Sequence, residues 1–470
     1  MIVIGGGLAG LAASVALAEA GWSVRLFEQR PFLGGRATSY LLPDGEHVDN
    51  CQHVTLGCCT NLDDFYRRVG ATDKIKFFDR LVFLDPQGRR GEMRAGMLPA
   101  PFHMTGSFLG FAPLKLRDKI CIAWAMLNIL QTNGRTWDVD KFGGISMLEW
   151  LRRRGQTKGA IERFWRVVLV SALDEELDKS DARYGMDVFW KAFLSNRSGY
   201  RMGVPAVPLA ELYEGCKGVI EAKGGEVNLR MPARGVRVGE GALVAVKFDG
   251  EREESADAYV FAVPHTALPD LIPGELGARD PAFRNLRMLK SAPITGVHLW
   301  FDREVMTEPF VTLLDTTTQW IFNKTALYGN ANGNQDSKSG QYLQLVVSAS
   351  YELLQKPRQE IIDLCLKELR QALPAAQDAN LVKATVIKEA AATFSPEPGV
   401  DRWRPKQETS VKGLFLAGDW TDTGWPATME GAVRSGYLAA EAVTKTAGAP
   451  QSFLRPDLAA DGLVSLWARN

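Results

Sequence analysis

The first 36 residues limit what this chain can become more than any other stretch. Met1-Ile2-Val3-Ile4 is a short apolar, β-branched run with no polar side chain, the pattern of a buried parallel strand. Gly5-Gly6-Gly7-Leu8-Ala9-Gly10 follows and fits G-x-G-x-x-G with Gly5, Gly7 and Gly10 in the key places. A helix pattern follows at once, from Leu11 to Ala20, and Gly21 stands where a left-handed cap is wanted. A second strand, Val24 to Glu28, ends on a carboxylate 18 positions after Gly10, near the spacing of about 20 expected of an acid on ribose hydroxyls. The first glycine permits the tight turn, the second lets backbone approach a pyrophosphate, and the third lets helix and strand pack closely. The helix start offers N–H groups and partial positive charge to the phosphates. Strand, turn, helix, strand and acid arrive in order, so this block binds a dinucleotide.

The rest of the composition sets bounds. At 470 residues, two closely built domains are expected rather than one core. Lys plus Arg and Asp plus Glu both number 55, which gives no global pull toward nucleic acid. The six cysteines (51, 58, 59, 121, 216 and 365) show no paired C-x-x-C pattern, so reduced thiols and no metal are expected. With the nucleotide strand beginning at Met1, the expected location is cytoplasmic, and no stretch reaches the ~18 uncharged apolar residues that span a bilayer.

Two further motifs carry a resemblance. Glu28-Gln29-Arg30-Pro31-Phe32-Leu33-Gly34-Gly35-Arg36 resembles the Gly-Gly-Arg extension of the FAD-dependent amine oxidase and phytoene desaturase superfamily. Far downstream, Gly413 to Trp420 reads as a buried strand ending in Gly418-Asp419, followed by a helix that opens near Thr428-Met429. The resemblance implies FAD as cofactor. It places Gly34 and Gly35 close to the cofactor, Arg36 on its phosphates or flavin edge, Asp419 on a ribityl hydroxyl, and the positive end of the 428 helix at the flavin pyrimidine ring. It also sets Ala233 beside adenine by backbone hydrogen bonds, and matches Ala262-Val263-Pro264 to a buried strand end near the cofactor, with His265 read as a solvent-facing loop residue.

Between Val48 and His53 the polar run Asp49-Asn50-Cys51-Gln52-His53 is a turn on pattern alone. It is similar, with Cys51 in place of a glycine, to the Asp-Asn-Gly-Gln-His beside the flavin in squalene-associated FAD-dependent desaturases, the hydroxysqualene dehydroxylases. The tail Pro456 to Leu463 is similar to the end of that family. The resemblance implies reductive dehydroxylation of hydroxysqualene to squalene, with Asp49 or His53 as acid or polar anchor and Gln52 and His53 at the flavin. The partners it implies are an apolar isoprenoid substrate and an electron donor, either a nicotinamide or a reductase. An oxidative carotenoid-type desaturase, an amine oxidase and a non-catalytic flavin-bearing lipid-binding protein remain as alternatives.

The implied fold is α/β with an α+β second domain: a Rossmann-type FAD-binding domain (1–80, 208–270 and 400–450) interleaved with a mixed-sheet and helical substrate domain (81–207 and 271–399), and a tail over 451–470. Residues 137–207 read as mostly helical, with Trp165, Phe189, Trp190 and Phe193 as pocket candidates. Ile294–Phe301 and Tyr342–Ser348 alternate as half-buried antiparallel strands do, 328–340 reads as a loop and 357–373 as an amphipathic helix. Met97–Leu130 is dense in Phe and Met around Lys115, Arg117 and Lys119. A core helix preceded by a loop is the preferred reading there, and a flap in peripheral contact with a membrane is the other.

Overall fold

The computed structural model describes residues 1–135, 144–329 and 340–467. Its centre is a five-stranded sheet in which every pairing is parallel, ordered Glu226–Asn228, Arg25–Phe27, Ile2–Ile4, Tyr259–Phe261 and Leu414–Leu416. Each strand has only three residues. They are apolar and buried across the middle of the sheet because helices or loops cover both faces. Strands from the beginning, middle and end of the chain thus lie side by side, and the turns leaving them gather at one edge.

Helix Leu8–Glu19 is apolar on every side, and all but its last residue are buried. It packs along helix Met429–Thr446 so closely that a Cβ on Gly436 would lie 2.3 Å from the Ala9 carbonyl oxygen. Gly10 is equally constrained: a Cβ there would stand 1.9 Å from the Gly5 carbonyl oxygen.

The second body is built on a seven-stranded mixed sheet, ordered Leu381–Phe394, Ser291–Phe301, Gln341–Ser348, Trp320–Asn323, Phe310–Leu313, Arg80–Leu84 and Arg90–Arg94. Only the pairing of Phe310–Leu313 with Arg80–Leu84 is parallel. Helix Arg358–Ala372 covers one face, burying Ile361, Ile362, Cys365 and Leu369. The other face, with Ile294, Trp320, Phe322 and Val346, looks toward the first body. The helices of 147–194 close this chamber and include two π-helical turns, Ile161–Trp165 and Trp190–Leu194.

Most local readings meet their elements. After the strand Met202–Pro205 the chain forms a 3₁₀ segment, Leu209–Tyr213, and then an α-helix, Glu214–Ala222. The loop read over 328–340 lies mainly outside the described residues. His265, expected at the surface, is buried, and that burial lowers its pKa. Of the four aromatic pocket candidates, only Phe193 lines the cavity described below; Trp165, Phe189 and Trp190 pack in the core.

Candidate active site

Three turns leave the carboxyl ends of the central strands and converge: Gly5–Gly10 after Ile4, Ala262-Val263-Pro264 after Phe261, and Gly418-Asp419 after Leu416. This is where open parallel sheets hold ligands. They form one wall of a cavity of about 610 Å³ that continues into the chamber between the two bodies.

The dinucleotide wall is assembled from both ends of the chain. Gly34 N–H donates to the Gly6 carbonyl at 2.9 Å, which lays the Gly-Gly-Arg segment along the first turn. A Cβ on Gly35, whose φ is +62°, would sit 2.9 Å from the Gly7 Cα. Gly7 caps helix Leu8–Glu19 without a side chain, and Gly7, Leu8 and Ala9 line the cavity, so the helix start offers backbone donors there. This cradle fits a diphosphate. Glu28 is buried, lines the same wall and accepts from Gly6 N–H at 2.6 Å and Arg30 N–H at 2.7 Å. Gln29 and Ala233 line the wall beside it.

Arg36 forms an ion pair with Asp419 and donates to the Ala392 carbonyl at 2.8 Å. The Gly-Gly-Arg motif, the C-terminal Gly-Asp motif and the long strand Leu381–Phe394 are thereby tied at one point. Thr428 caps helix Met429–Thr446 through its own Oγ1, which accepts from Gly431 N–H at 3.0 Å, and Thr428 and Met429 line the cavity.

Asp49 is not where a proton donor could work. Its side chain is wholly buried against the wholly buried Lys324, 2.7 Å away. It also accepts from Ser39 Oγ at 2.7 Å, Leu209 N–H at 3.0 Å and Tyr328 Oη at 2.9 Å. Burial pushes its pKa up, but the Lys324 charge and these donors outweigh burial and hold the carboxyl below the usual carboxylate range. An ionised carboxylate with no free lone pair aimed at a ligand is a structural tie, so the acid role expected of Asp49 is withdrawn. Gln52 shares that tie, accepting from Lys324 Nζ at 2.7 Å, and also lines the cavity.

His53 does line the cavity. Its Nδ1 lies 3.1 Å from the Cys51 carbonyl, which can only accept, so Nδ1 carries the proton and Nε2 is an acceptor. Burial lowers its pKa, so the ring is neutral near pH 7 and cannot serve as the acid either.

Beyond this wall the cavity turns apolar: Phe83, Val167, Phe193, Ile294, Trp320 and Phe322 are among its lining. Asp174 also lines it, in a left-handed backbone conformation with φ 53°, accepting from Ala349 N–H and Thr393 Oγ1, both at 2.9 Å. Burial raises its pKa well above the carboxylate range. Sequence reading passed over both Lys324 and Asp174. The available signals were a lysine directly after the apolar strand Trp320–Asn323 and an acid directly after the apolar helix Arg166–Leu173.

Residues 8–444 match the family model described as flavin containing amine oxidoreductase. Among curated proteins, the chain is 27% identical over 471 residues to a ζ-carotene desaturase of Synechocystis sp., covering 94% of this chain and 96% of that one. It is 28% identical to a 15-cis-phytoene desaturase of Solanum lycopersicum, over 95% of this chain and 77% of that one. Among solved structures, a putrescine oxidase mutant aligns with TM-score 0.72 at 17% identity, covering 95% and 98% of the two chains. An oxidoreductase from Methanosarcina mazei aligns with TM-score 0.71 at 18% identity, covering 94% and 99%. The last two establish the amine-oxidase-like fold, and the match to the flavin-containing family assigns FAD as cofactor. The relatives found over nearly the whole length are named ζ-carotene and phytoene desaturases, which overturns the hydroxysqualene dehydroxylase expectation.

Proposed function

The chain belongs to the flavin containing amine oxidoreductase family, and from that membership we propose that it desaturates a long isoprenoid hydrocarbon of the carotenoid type. The observation that carries the proposal is the single cavity that joins the dinucleotide wall to the apolar chamber. A substrate seated there is a hydrocarbon chain held by burial of apolar surface and shielded from water. Bound FAD supplies hydride acceptance from carbon, and an oxidant of the quinone or oxygen class takes the electrons afterwards.

The protein's part is to lay two adjacent carbons of the chain against that site and to accept a proton as the double bond forms. His53 Nε2 has its lone pair free because Nδ1–H is committed to Cys51, and we assign the proton to it. Its lowered pKa does not prevent this, because a C–H beside an electron-poor carbon is a strong acid and a weak base suffices.

The test is product analysis. Purified holoprotein is incubated with phytoene or ζ-carotene and a soluble quinone, and the extract is read by absorbance and mass. Loss of two hydrogens per new double bond, with a red-shifted spectrum, is expected. Unchanged polyenes together with amine-dependent peroxide formation would overturn the proposal.

A further inference from the structure

Helix Leu116–Gln131 is apolar on two faces. Ile122, Ala125 and Ile129 point inward and are buried. Leu116, Ile120, Trp124 and Leu127 recur at helical spacing on the opposite side, and the first three are 71%, 62% and 57% exposed. The stripe does not stand alone. Met97, 96% exposed, precedes the helix with exposed Leu98, Phe102 and Leu109. From the other end of the chain, Leu463 N–H donates to the Ala100 carbonyl at 2.9 Å, and Asn133 Nδ2 donates to the Trp467 carbonyl at 3.0 Å. These bonds set exposed Leu463, Leu466 and Trp467 beside the same region. Eleven of the sixteen exposed large hydrophobic side chains among the described residues fall in these two segments. Monomeric soluble proteins rarely gather so much exposed apolar surface in one place.

The charge on this surface has one sign. From Met97 to Arg135 the sequence contains a single acid, Asp118, and four cations. Asp118 is turned inward, accepting from Lys115 N–H at 2.9 Å and Thr157 Oγ1 at 2.5 Å. Lys115, Arg117 and Arg135 are exposed, and Lys119 is half-buried with its ammonium on the Leu109 carbonyl at 2.6 Å. Apolar side chains flanked by cations that form no ion pair among the described residues suit an anionic bilayer, where the former enter the acyl boundary and the latter meet headgroup phosphates. A second copy of the chain meeting this patch face to face would set these cations against their own equivalents. No helix among the described residues is long and apolar enough to cross a membrane, so the contact would be peripheral.

The surface also lies one layer of rings from the cavity. Phe111 meets Phe83 edge-on at 5.2 Å between centroids, and Phe83 lines the cavity wall. Phe108 meets Phe164 at 5.8 Å.

We propose that the surface of residues 97–127 and 463–467 docks the protein on an anionic lipid bilayer. The docking does not depend on the desaturase reading and can be measured without turnover. FAD-loaded full-length protein is sedimented with phosphatidylcholine vesicles and with vesicles containing phosphatidylglycerol. Binding to the anionic vesicles, weakened by salt, is expected. Ile120→Gln with Trp124→Gln should weaken it by about tenfold or more, the scale of two buried apolar side chains. Lys115→Gln with Arg117→Gln should remove most of the preference for anionic lipid, while Leu41→Gln, exposed elsewhere, should change nothing. Flavin absorbance and melting temperature report that each variant is folded. The proposal falls if the wild-type protein ignores anionic vesicles, if the Ile120/Trp124 variant binds as the wild type does, or if those substitutions instead abolish self-association of the lipid-free protein.

Discussion

Removing Lys324 should cost more stability than almost any other single polar change in the molecule. Both Asp49 and Lys324 have fully buried side chains, so water cannot screen or replace either charge. Lys324→Met leaves the Asp49 carboxylate with Ser39, Leu209 N–H and Tyr328 but no counter-charge. Breaking one half of a buried pair costs about 3–5 kcal/mol, because the remaining ion is uncompensated. Asp49→Asn should fall in the same range, since it leaves the Lys324 ammonium facing only neutral acceptors. The double substitution removes both charges, so its cost should be well below the sum, with a coupling of at least about 2 kcal/mol. Urea-unfolding midpoints followed by tryptophan and flavin fluorescence at pH 7 measure all four corners of the cycle. Single variants that each lose less than about 1 kcal/mol, or a double variant whose loss equals the sum, would refute the structural role given to this pair.

Gly35→Ala should release FAD, because the new Cβ would lie 2.9 Å from the Gly7 Cα in a left-handed backbone; dialysis followed by flavin quantitation reads the loss. Acidification should destabilise the fold through His298, which burial holds neutral with a pKa of about 3. The unfolded chain binds that proton near pH 6.5 and the folded chain does not, so stability is full above pH 6.5 and falls by up to about 1.4 kcal/mol per unit below it. Melting curves of His298→Gln should show a flatter pH dependence between 6.5 and 4.5 than the wild type. Asp174 carries the opposite sign, since burial raises its pKa and its contribution to stability is lost as the pH rises above the unfolded carboxylate range. Asp174→Asn should therefore match the wild type in acid and gain melting temperature relative to it as the pH rises, and a loss at every pH would contradict the assignment.

The elements that sequence periodicity and turn chemistry encode were the legible ones. Ile2–Ile4, the glycine turn, helix Leu8–Glu19 and the Gly418-Asp419 strand end each carry their signal within a few residues, and they place the FAD wall. What joins them was not legible. The Arg36–Asp419 pair links positions 383 residues apart, and the Asp49–Lys324 pair links positions 275 apart. A single sequence holds no mark of either. The misreading of substrate has the same origin. Asp49 looked like reaction chemistry and Gln52 like a flavin contact because they stand in a run that resembles a dehydroxylase motif, but Lys324 engages both, so these two side chains report on how the two bodies are tied and not on what is turned over. Exposure on helix Leu116–Gln131 was hidden for a simpler reason: a helix apolar on both faces has no polar side to show which face meets solvent.

The proposed transfer of hydride from an isoprenoid hydrocarbon to FAD is tested most directly under anaerobic conditions. Oxidised holoprotein is mixed with phytoene in detergent micelles, without any acceptor, and the flavin band is followed. Bleaching of the band by up to one equivalent is expected, with a matching amount of a polyene bearing one more double bond. A band that stays oxidised with phytoene and with ζ-carotene while an amine bleaches it would rule out desaturation and leave an amine oxidase.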